Sequence, residues 1–413
     1  VDTNVKTVSV IGLGYVGLPT AAILASRGFD VIGVDVNEHA VRTINDGKVH
    51  IVEPDLDILV QASVTMGRLK ATTEAQAADV FMLAVPTPFK DDKQPDLAYL
   101  EAATRSIAPV IKKGDMVILE STSPVGTTAA ISSWLSEMRP DLAFPHQSKT
   151  PDVNLAHCPE RILPGHVLRE LVENDRIIGG ITHECSEKAE AFYRTFVTGE
   201  CILTNARTAE LAKLVENSYR DVNIAFANEL SVICDGLDID VWELINLTNR
   251  HPRVNILQPG PGVGGHCIAV DPWFIVAQNP EDARLIRTAR EVNDAKPHFV
   301  IDKVLAAADR FKAPKVACFG LTYKADIDDL RESPALDIVK LLSSKLDGEV
   351  IAVEPNISKL PASLENAGNI SLMDSGDALD QADIAVFLVA HRQFKDIAPA
   401  ALDSKVVIRT IKS

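Results

Sequence analysis

No two of the six cysteines form a CxxC pair; they stand singly at positions 158, 185, 201, 234, 267 and 318. That scatter argues against a disulfide framework and against a thiolate zinc site, and it reads as a reduced, cytoplasmic chain with no metal. Long hydrophobic runs are missing too. The longest, Val80–Val85 and Ile384–Ala390, fall far short of the roughly 18–20 residues of a membrane span. The first residues, Val-Asp-Thr-Asn-Val-Lys-Thr, lack the basic, apolar and small-residue regions of a signal peptide, so no membrane insertion is expected. Basic charge is in deficit: 41 Lys+Arg stand against 57 Asp+Glu, a net −16. An acidic surface argues against nucleic acid or an anionic membrane as the main ligand, although a local basic pocket for a phosphorylated substrate stays open. Low-complexity segments are absent. What remains is 413 residues, 46% hydrophobic and 24% charged, a globular chain with room for two or three domains.

Two stretches look like the opening strand of a nucleotide-binding unit: Thr7-Val-Ser-Val-Ile-Gly-Leu-Gly-Tyr-Val-Gly17 and Lys315-Val-Ala-Cys-Phe-Gly-Leu-Thr-Tyr-Lys324. Each is a short apolar run that ends in Gly. Strands are expected after the first at Val31–Asp35, Val80–Val85, Met116–Ser121 and Arg176–Gly180. After the second they are expected at Val350–Val353, Ile384–Val389 and Val406–Ile408. Helical pattern separates them, as in a doubly wound parallel sheet. Between the two units, Thr208–Asp235 holds no Gly or Pro and places Leu211, Leu214, Val215, Ile224, Phe226, Leu230 and Ile233 near helical spacing. A helix of that length would run about 42 Å and could bridge two domains. A second helical stretch follows at Glu281–Asp309. The expected fold is α/β, with two Rossmann-like domains joined by a long central helix and a helical connector.

Gly12-Leu-Gly14-Tyr15-Val16-Gly17 follows a strand and precedes an apolar helix. In such a loop the first Gly makes the tight turn, the second lets backbone approach a pyrophosphate, and the third lets helix and strand pack closely. Asp35 ends the second strand at the distance where a carboxylate meets the ribose hydroxyls. It would repel a 2′-phosphate, so NAD is expected over NADP.

Pro259-Gly-Pro-Gly-Val-Gly-Gly265 packs four Gly and two Pro into seven residues, which excludes a helix or central strand. It delivers Cys267 beside His266 and four residues before Asp271. A thiol there can attack an aldehyde once it is deprotonated, whereas Cys185, Cys201, Cys234 and Cys318 read as small buried hydrophobes. His266 receives no role. Lys213 and Asn217 share one helix face at i,i+4 and could stabilise an oxyanion; on spacing alone, an exposed polar pair is the better reading.

With these residues together, the chain resembles the UDP-glucose/GDP-mannose dehydrogenase family over nearly its whole length. The resemblance rests on Gly12–Gly17 with Asp35, Val85-Pro-Thr87-Pro, Glu120-Ser-Thr122-Ser-Pro, His157-Cys-Pro-Glu160-Arg161, the helix segment from Ala209 to Asn217, His251-Pro-Arg253, Gly264-Gly265-His-Cys267 with Asp271, and Gly320 to Arg331. It implies a four-electron oxidation of a UDP-sugar C6 alcohol to a carboxylate, using NAD twice per turnover. It further implies that Thr87 and Thr122 line the nicotinamide, and that Cys267 is the nucleophile, with Lys213 and Asn217 on the oxyanion. Asp271, Glu160 and Lys213 share the candidacy for base, and Thr122 helps to hold water. Glu160, Arg161, Gly264, Gly265, Tyr323, Lys324 and Arg331 would contact substrate, as would Lys213 and Asn217. Arg253 would reach a neighbour's substrate in a homodimer. The domains expected are 1–200 for NAD, 201–310 as a central connector with the Cys loop and the dimer contact, and 311–413 for the UDP-sugar. The run Gly-Gly-His-Cys-Ile-Ala-Val-Asp-Pro resembles the version in enzymes of N-acetylhexosaminyl substrates. UDP-N-acetyl-D-mannosamine is thus expected, for a surface polysaccharide such as enterobacterial common antigen, with UDP-N-acetyl-D-glucosamine as the alternative and a two-electron hydroxyacid dehydrogenase as the remoter one. Two departures stand out: Pro164 replaces a glutamate common in UDP-glucose enzymes, and the end, Val407 to Ser413, lacks the usual Asp-x-Arg element.

Overall fold

The computed structural model describes residues 5–90, 92–162, 165–265, 267–365 and 367–412. Pro164 and His266 therefore lie outside the described residues. The chain divides into two compact units, Val1–Val215 and Glu216–Ser413.

The first unit is built on β1 (Thr7–Ile11), β2 (Asp30–Val34), β3 (Leu69–Thr72), β4 (Val80–Leu83), β5 (Met116–Leu119), β6 (Asn154–His157), β7 (Arg176–Gly180) and β8 (Cys201–Asn205). They lie in the order β3-β2-β1-β4-β5-β6-β7-β8. Every pair is parallel except β6 with β7. A parallel sheet must be covered on both faces, and the strands show it. Val80, Met82, Met116 and Ile118 enter one apolar core while Phe81, Leu83, Val117 and Leu119 enter the other. The order reverses between β1 and β4, the switch point beside which such sheets bind ligands.

The second unit repeats the plan with β9 (Lys315–Phe319), β10 (Glu349–Val353), β11 (Ile370–Leu372), β12 (Ile384–Phe387) and β13 (Val406–Arg409). These lie in the order β11-β10-β9-β12-β13, all parallel. Alternation again fills two cores, with Val316 and Cys318 on one face and Ala317 and Phe319 on the other. Doubly wound sheets are thus found where they were expected. Strands β3, β6, β8 and β11 were not anticipated.

The long helix spans Ala206–Gly236, slightly more than its apolar pattern suggested, and a second runs Arg284–Ala308. Leu214, Ser218, Asp221, Ala225 and Asn228 form the buried face of the first. Its opening turns belong to the first unit. Glu210 there is fully buried and accepts the Gly126 N–H at 2.6 Å and the Thr128 N–H at 2.7 Å. It thereby caps the helix Thr127–Met138 from a distance, since Gly126 offers no capping side chain.

Candidate active site

In the first unit the loop after β1 has the form its three glycines call for. Gly12 holds φ +92°, and a Cβ there would lie 2.5 Å from the Ala84 carbonyl oxygen. One on Gly17 would lie 1.8 Å from the Gly12 oxygen. Both glycines are demanded by packing. Gly14 differs: it is exposed and nothing lies within 4 Å of where its Cβ would be, so the space there is open to a ligand's approach. The loop leads into the helix Gly17–Ser26, whose N-terminus favours a phosphate. Tyr15 is exposed and Val16 half-buried beside that space. Asp35 lies just beyond β2; it accepts the Leu13 N–H at 2.8 Å and the Asn37 N–H at 2.9 Å. Each oxygen keeps a lone pair for a ribose hydroxyl. These residues fit a dinucleotide.

Beside this loop, the ends of β4 and β5 are tied together. Thr87 Oγ1 donates to the Thr122 carbonyl at 2.6 Å and Ser121 Oγ to the Val85 carbonyl at 2.7 Å. Behind them lies a buried network that the sequence did not reveal. Glu160 is nearly buried; one oxygen accepts the Arg161 N–H at 2.7 Å and the other pairs with Arg176, itself 1% exposed. Arg176 also donates to the Leu171 carbonyl at 2.8 Å. Tyr193 Oη donates to Glu120 at 3.1 Å. Burial, followed by the charge of Glu160, pushes the Glu120 carboxyl up to about 8. Its Oε2 meets no protein partner among the described residues, which suits a protonated acid. Burial holds His157 down to about 3, so it is neutral. Cys158 is likewise pushed far up by burial, which makes it an inert packing thiol. The Arg161 side chain is half-buried and donates to the Asp175 carbonyl at 3.3 Å.

The second unit holds the nucleophile candidate. Cys267 is exposed; the other five cysteines are buried. Its carbonyl accepts the Asp271 N–H at 2.9 Å, which seats it in the turn leading into the helix Asp271–Gln278, whose N-terminal end favours negative charge. Asp271, 3% exposed, accepts from the Asn217 amide at 2.5 Å. Asn217 thus reaches the Cys267 segment, and Lys213 stands one turn earlier on the same helix, half-buried.

The glycines before Cys267 are pressed against a second loop. A Cβ on Gly264 would lie 2.2 Å from the Glu332 oxygen, and one on Gly265, at φ +89°, 2.9 Å from the Tyr323 ring. The Gly265 N–H donates to the Glu332 carbonyl at 3.2 Å. Lys324 is half-buried in that loop. Arg331 is exposed and forks onto Asp329, with contacts of 3.0 and 2.7 Å. Arg253 is exposed after the helix Val241–Thr248. No group of three or more His, Cys, Asp or Glu suited to a metal occurs among the described residues, and no helix there is long and apolar enough to cross a membrane.

A glycine loop at the switch point, a carboxylate just beyond the second strand and a separate exposed thiol fit an NAD-dependent dehydrogenase. More particularly, the chain belongs to the UDP-glucose/GDP-mannose dehydrogenase family. Residues 6–197 match its NAD binding domain, 207–295 its central domain and 317–412 its UDP binding domain. It is 64% identical over 411 residues to an NDP-N-acetyl-D-galactosaminuronic acid dehydrogenase of Ralstonia nicotianae, covering 99% of this chain and 96% of that protein. It is 62% identical over 400 residues to the UDP-N-acetyl-D-mannosamine dehydrogenase of Escherichia coli, covering 95% of each. Among solved structures, a UDP-N-acetyl-mannosamine dehydrogenase of S. aureus matches with a TM-score of 0.87 at 44% identity, covering 99% of this chain and 96% of that one.

Proposed function

We propose that this chain oxidises the C6 alcohol of UDP-N-acetyl-D-mannosamine to the uronate in four electrons, by way of a thioester on Cys267. The observation that carries the reading is the placement of Cys267: an exposed thiol in the turn that leads into a helix, four residues before a buried Asp271 oriented by Asn217. Bound NAD supplies the hydride acceptor, twice per turnover. The balance is alcohol plus two NAD and water giving carboxylate, two NADH and three protons.

Each residue then has a task. Loss of the hydroxyl proton and of a hydride from C6 leaves an aldehyde. The Cys267 sulfur bonds to C6 and the carbonyl π pair moves to oxygen, giving a thiohemiacetal. Lys213 and the second N–H of the Asn217 amide stabilise that oxygen, a contribution of about 3 kcal/mol for each preorganised donor. Loss of the second hydride yields the thioester. Water attacks it, the C–S bond breaks and thiolate leaves. Asp271, Glu160 and Lys213 exchange the protons, and Thr122 helps to place the water. Thr87 and Thr122 border the nicotinamide, while Arg161, Gly264, Gly265, Tyr323, Lys324 and Arg331 hold the nucleotide sugar. The product suits a surface polysaccharide such as enterobacterial common antigen, made in the cytoplasm. A second reading, an N-acetylgalactosamine nucleotide, is favoured by the 64% identity to the Ralstonia protein.

The enzyme is proposed to act as a homodimer. Tyr219, Val222, Phe226, Leu230, Ile233 and Leu237 recur at helical spacing and are exposed or half-buried. Arg253 would complete a neighbour's site, so mixing Arg253→Ala with Cys267→Ala protein should restore part of the activity.

The test is a count of NADH per sugar on UDP-linked N-acetylmannosamine, N-acetylglucosamine and N-acetylgalactosamine, with wild type and Cys267→Ser. Two NADH per mannosamine substrate, with Cys267→Ser slowed by orders of magnitude, is the expected result. One NADH, or an unaffected Cys267→Ser variant, overturns the thioester route; a preference for the galactosamine substrate selects the second reading.

A further inference from the structure

His391 is fully buried in the second unit, beyond the end of β12, and no step above uses it. Its Nδ1 accepts the Asp326 N–H at 2.9 Å, so the ring proton belongs on Nε2. That nitrogen faces Glu354 Oε2 at 2.9 Å and Thr322 Oγ1 at 3.2 Å. Thr322 Oγ1 donates its own proton to the Lys324 carbonyl at 2.8 Å, so it can accept from the ring. Next in sequence, the Arg392 N–H donates to Asp326 Oδ1 at 2.9 Å. Asp326 holds φ +62°, a conformation that costs a non-glycine residue energy unless its surroundings impose it. Here His391 and Arg392 impose it.

Glu354 follows β10 as Asp35 follows β2. It accepts the Leu321 N–H at 2.8 Å, the counterpart of the Leu13 bond to Asp35. The two carboxylates then diverge. Glu354 is 4% exposed and also bonds Asn356 and His391. Its charge is kept low in pKa because those bonds outweigh the burial that opposes them. It is closed to a ribose and instead fixes the loop.

The loop held in this way ends at Ser333, whose Oγ donates to the Leu321 carbonyl at 2.6 Å. Within it lie Tyr323 and Glu332, the two groups against which Gly264 and Gly265 are pressed. We infer that His391 is a positioning residue: by holding Asp326 it fixes the Leu321–Ser333 loop, and through Tyr323 and Glu332 it seats the glycine pair that leads to Cys267. The inference rests on the reading of Cys267 as nucleophile and of this loop as the nucleotide-sugar contact.

Isosteric variants of the whole chain separate the two ring nitrogens. Asn at 391 keeps an acceptor for the Asp326 N–H and loses the donor to Glu354; Gln does the reverse. His391→Gln and His391→Ala should raise the KM for the nucleotide sugar and the Kd for UDP at least tenfold, with the NAD KM unchanged. Amide exchange in peptides covering Gly264–Gly265 and Tyr323 should quicken at least tenfold, and exchange around Gly12–Gly17 should not. His391→Asn should stay within about threefold of wild type in every readout. Unchanged exchange and unchanged UDP binding in His391→Ala would overturn the inference, as would equal loss of UDP and NAD binding in all three variants. A wild type that oxidises no UDP-sugar would sink the proposed function instead, and the exchange comparison would still stand.

Discussion

The N–H of Leu13 points at Asp35, 2.8 Å from Oδ2, so the carboxylate proposed to read the ribose also holds the glycine loop in place. On that proposal one side chain couples cofactor choice to loop geometry. NAD should be preferred over NADP at least tenfold in kcat/KM, about 1.4 kcal/mol. Asp35→Asn keeps an acceptor for Leu13 while losing the charge, and should narrow the preference severalfold. Equal kcat/KM for the two cofactors in wild type would count against the assignment.

Gly12, Gly14 and Gly17 should respond differently to alanine. Gly17→Ala must displace the Gly12 carbonyl, and Gly12→Ala combines a backbone collision with a positive φ; both should lower the melting temperature clearly. Gly14→Ala meets open space. Its stability should stay within roughly 0.5 kcal/mol of wild type while NAD affinity falls at least tenfold. Thermal melts and NAD titrations on the three variants check this.

The buried Glu120 carboxyl makes stability depend on pH. Folded, it keeps its proton up to about 8; its ordinary value is 4.5. Between those values the unfolded chain binds fewer protons than the folded one, so this group's contribution falls as pH rises and levels off above the folded value. Glu120→Gln cannot ionise. Its melting temperature minus that of wild type should grow from pH 5 to about pH 8 and level off above it. A difference that stays flat, or that shrinks with pH, would mean Glu120 ionises as readily in the folded chain.

Arg176 and Glu160 form a pair buried on both sides. Arg176→Met leaves a buried carboxylate unpaired beside Glu120 and should cost about 3–5 kcal/mol. Adding Glu160→Leu should recover much of the stability without restoring turnover. Urea denaturation and steady-state rates on the single and double variants separate the two effects.

These two groups also show where the sequence stopped being informative. The glycine loop, Asp35, the long helix and the exposed Cys267 were legible because each is local: a turn, a strand end, a spacing, a run of Gly and Pro. Arg176 was read only as the start of a strand, since its partner lies 16 residues away, and Tyr193 meets Glu120 across 73. Gly264 and Gly265 were visible as part of a Gly/Pro-rich loop that could be neither helix nor central strand. The reason for them, the Tyr323 ring and the Glu332 carbonyl, comes from a distant strand–loop unit. The missed strands β3 and β11 are short edge strands, and β8 carries polar Thr204 and Asn205; their pairing is decided by neighbours more than by their own residues. His391 had no sequence signal at all, because its role consists of bonds to Asp326, Thr322 and Glu354, each at least 37 residues away.

The early turns of the long helix carry a consequence for how the protein is made. Glu210 is the acceptor for Gly126 and Thr128, so a nascent chain stalled before it would leave the buried Thr128 amide and the half-buried Gly126 amide without this acceptor and a helix start uncapped. The first unit can close only after the ribosome has passed Glu210 and begun the helix that continues into the second. Glu210 stands close to the end of the first unit, at Val215, so that unit has to wait for nearly all of its own chain before it can close.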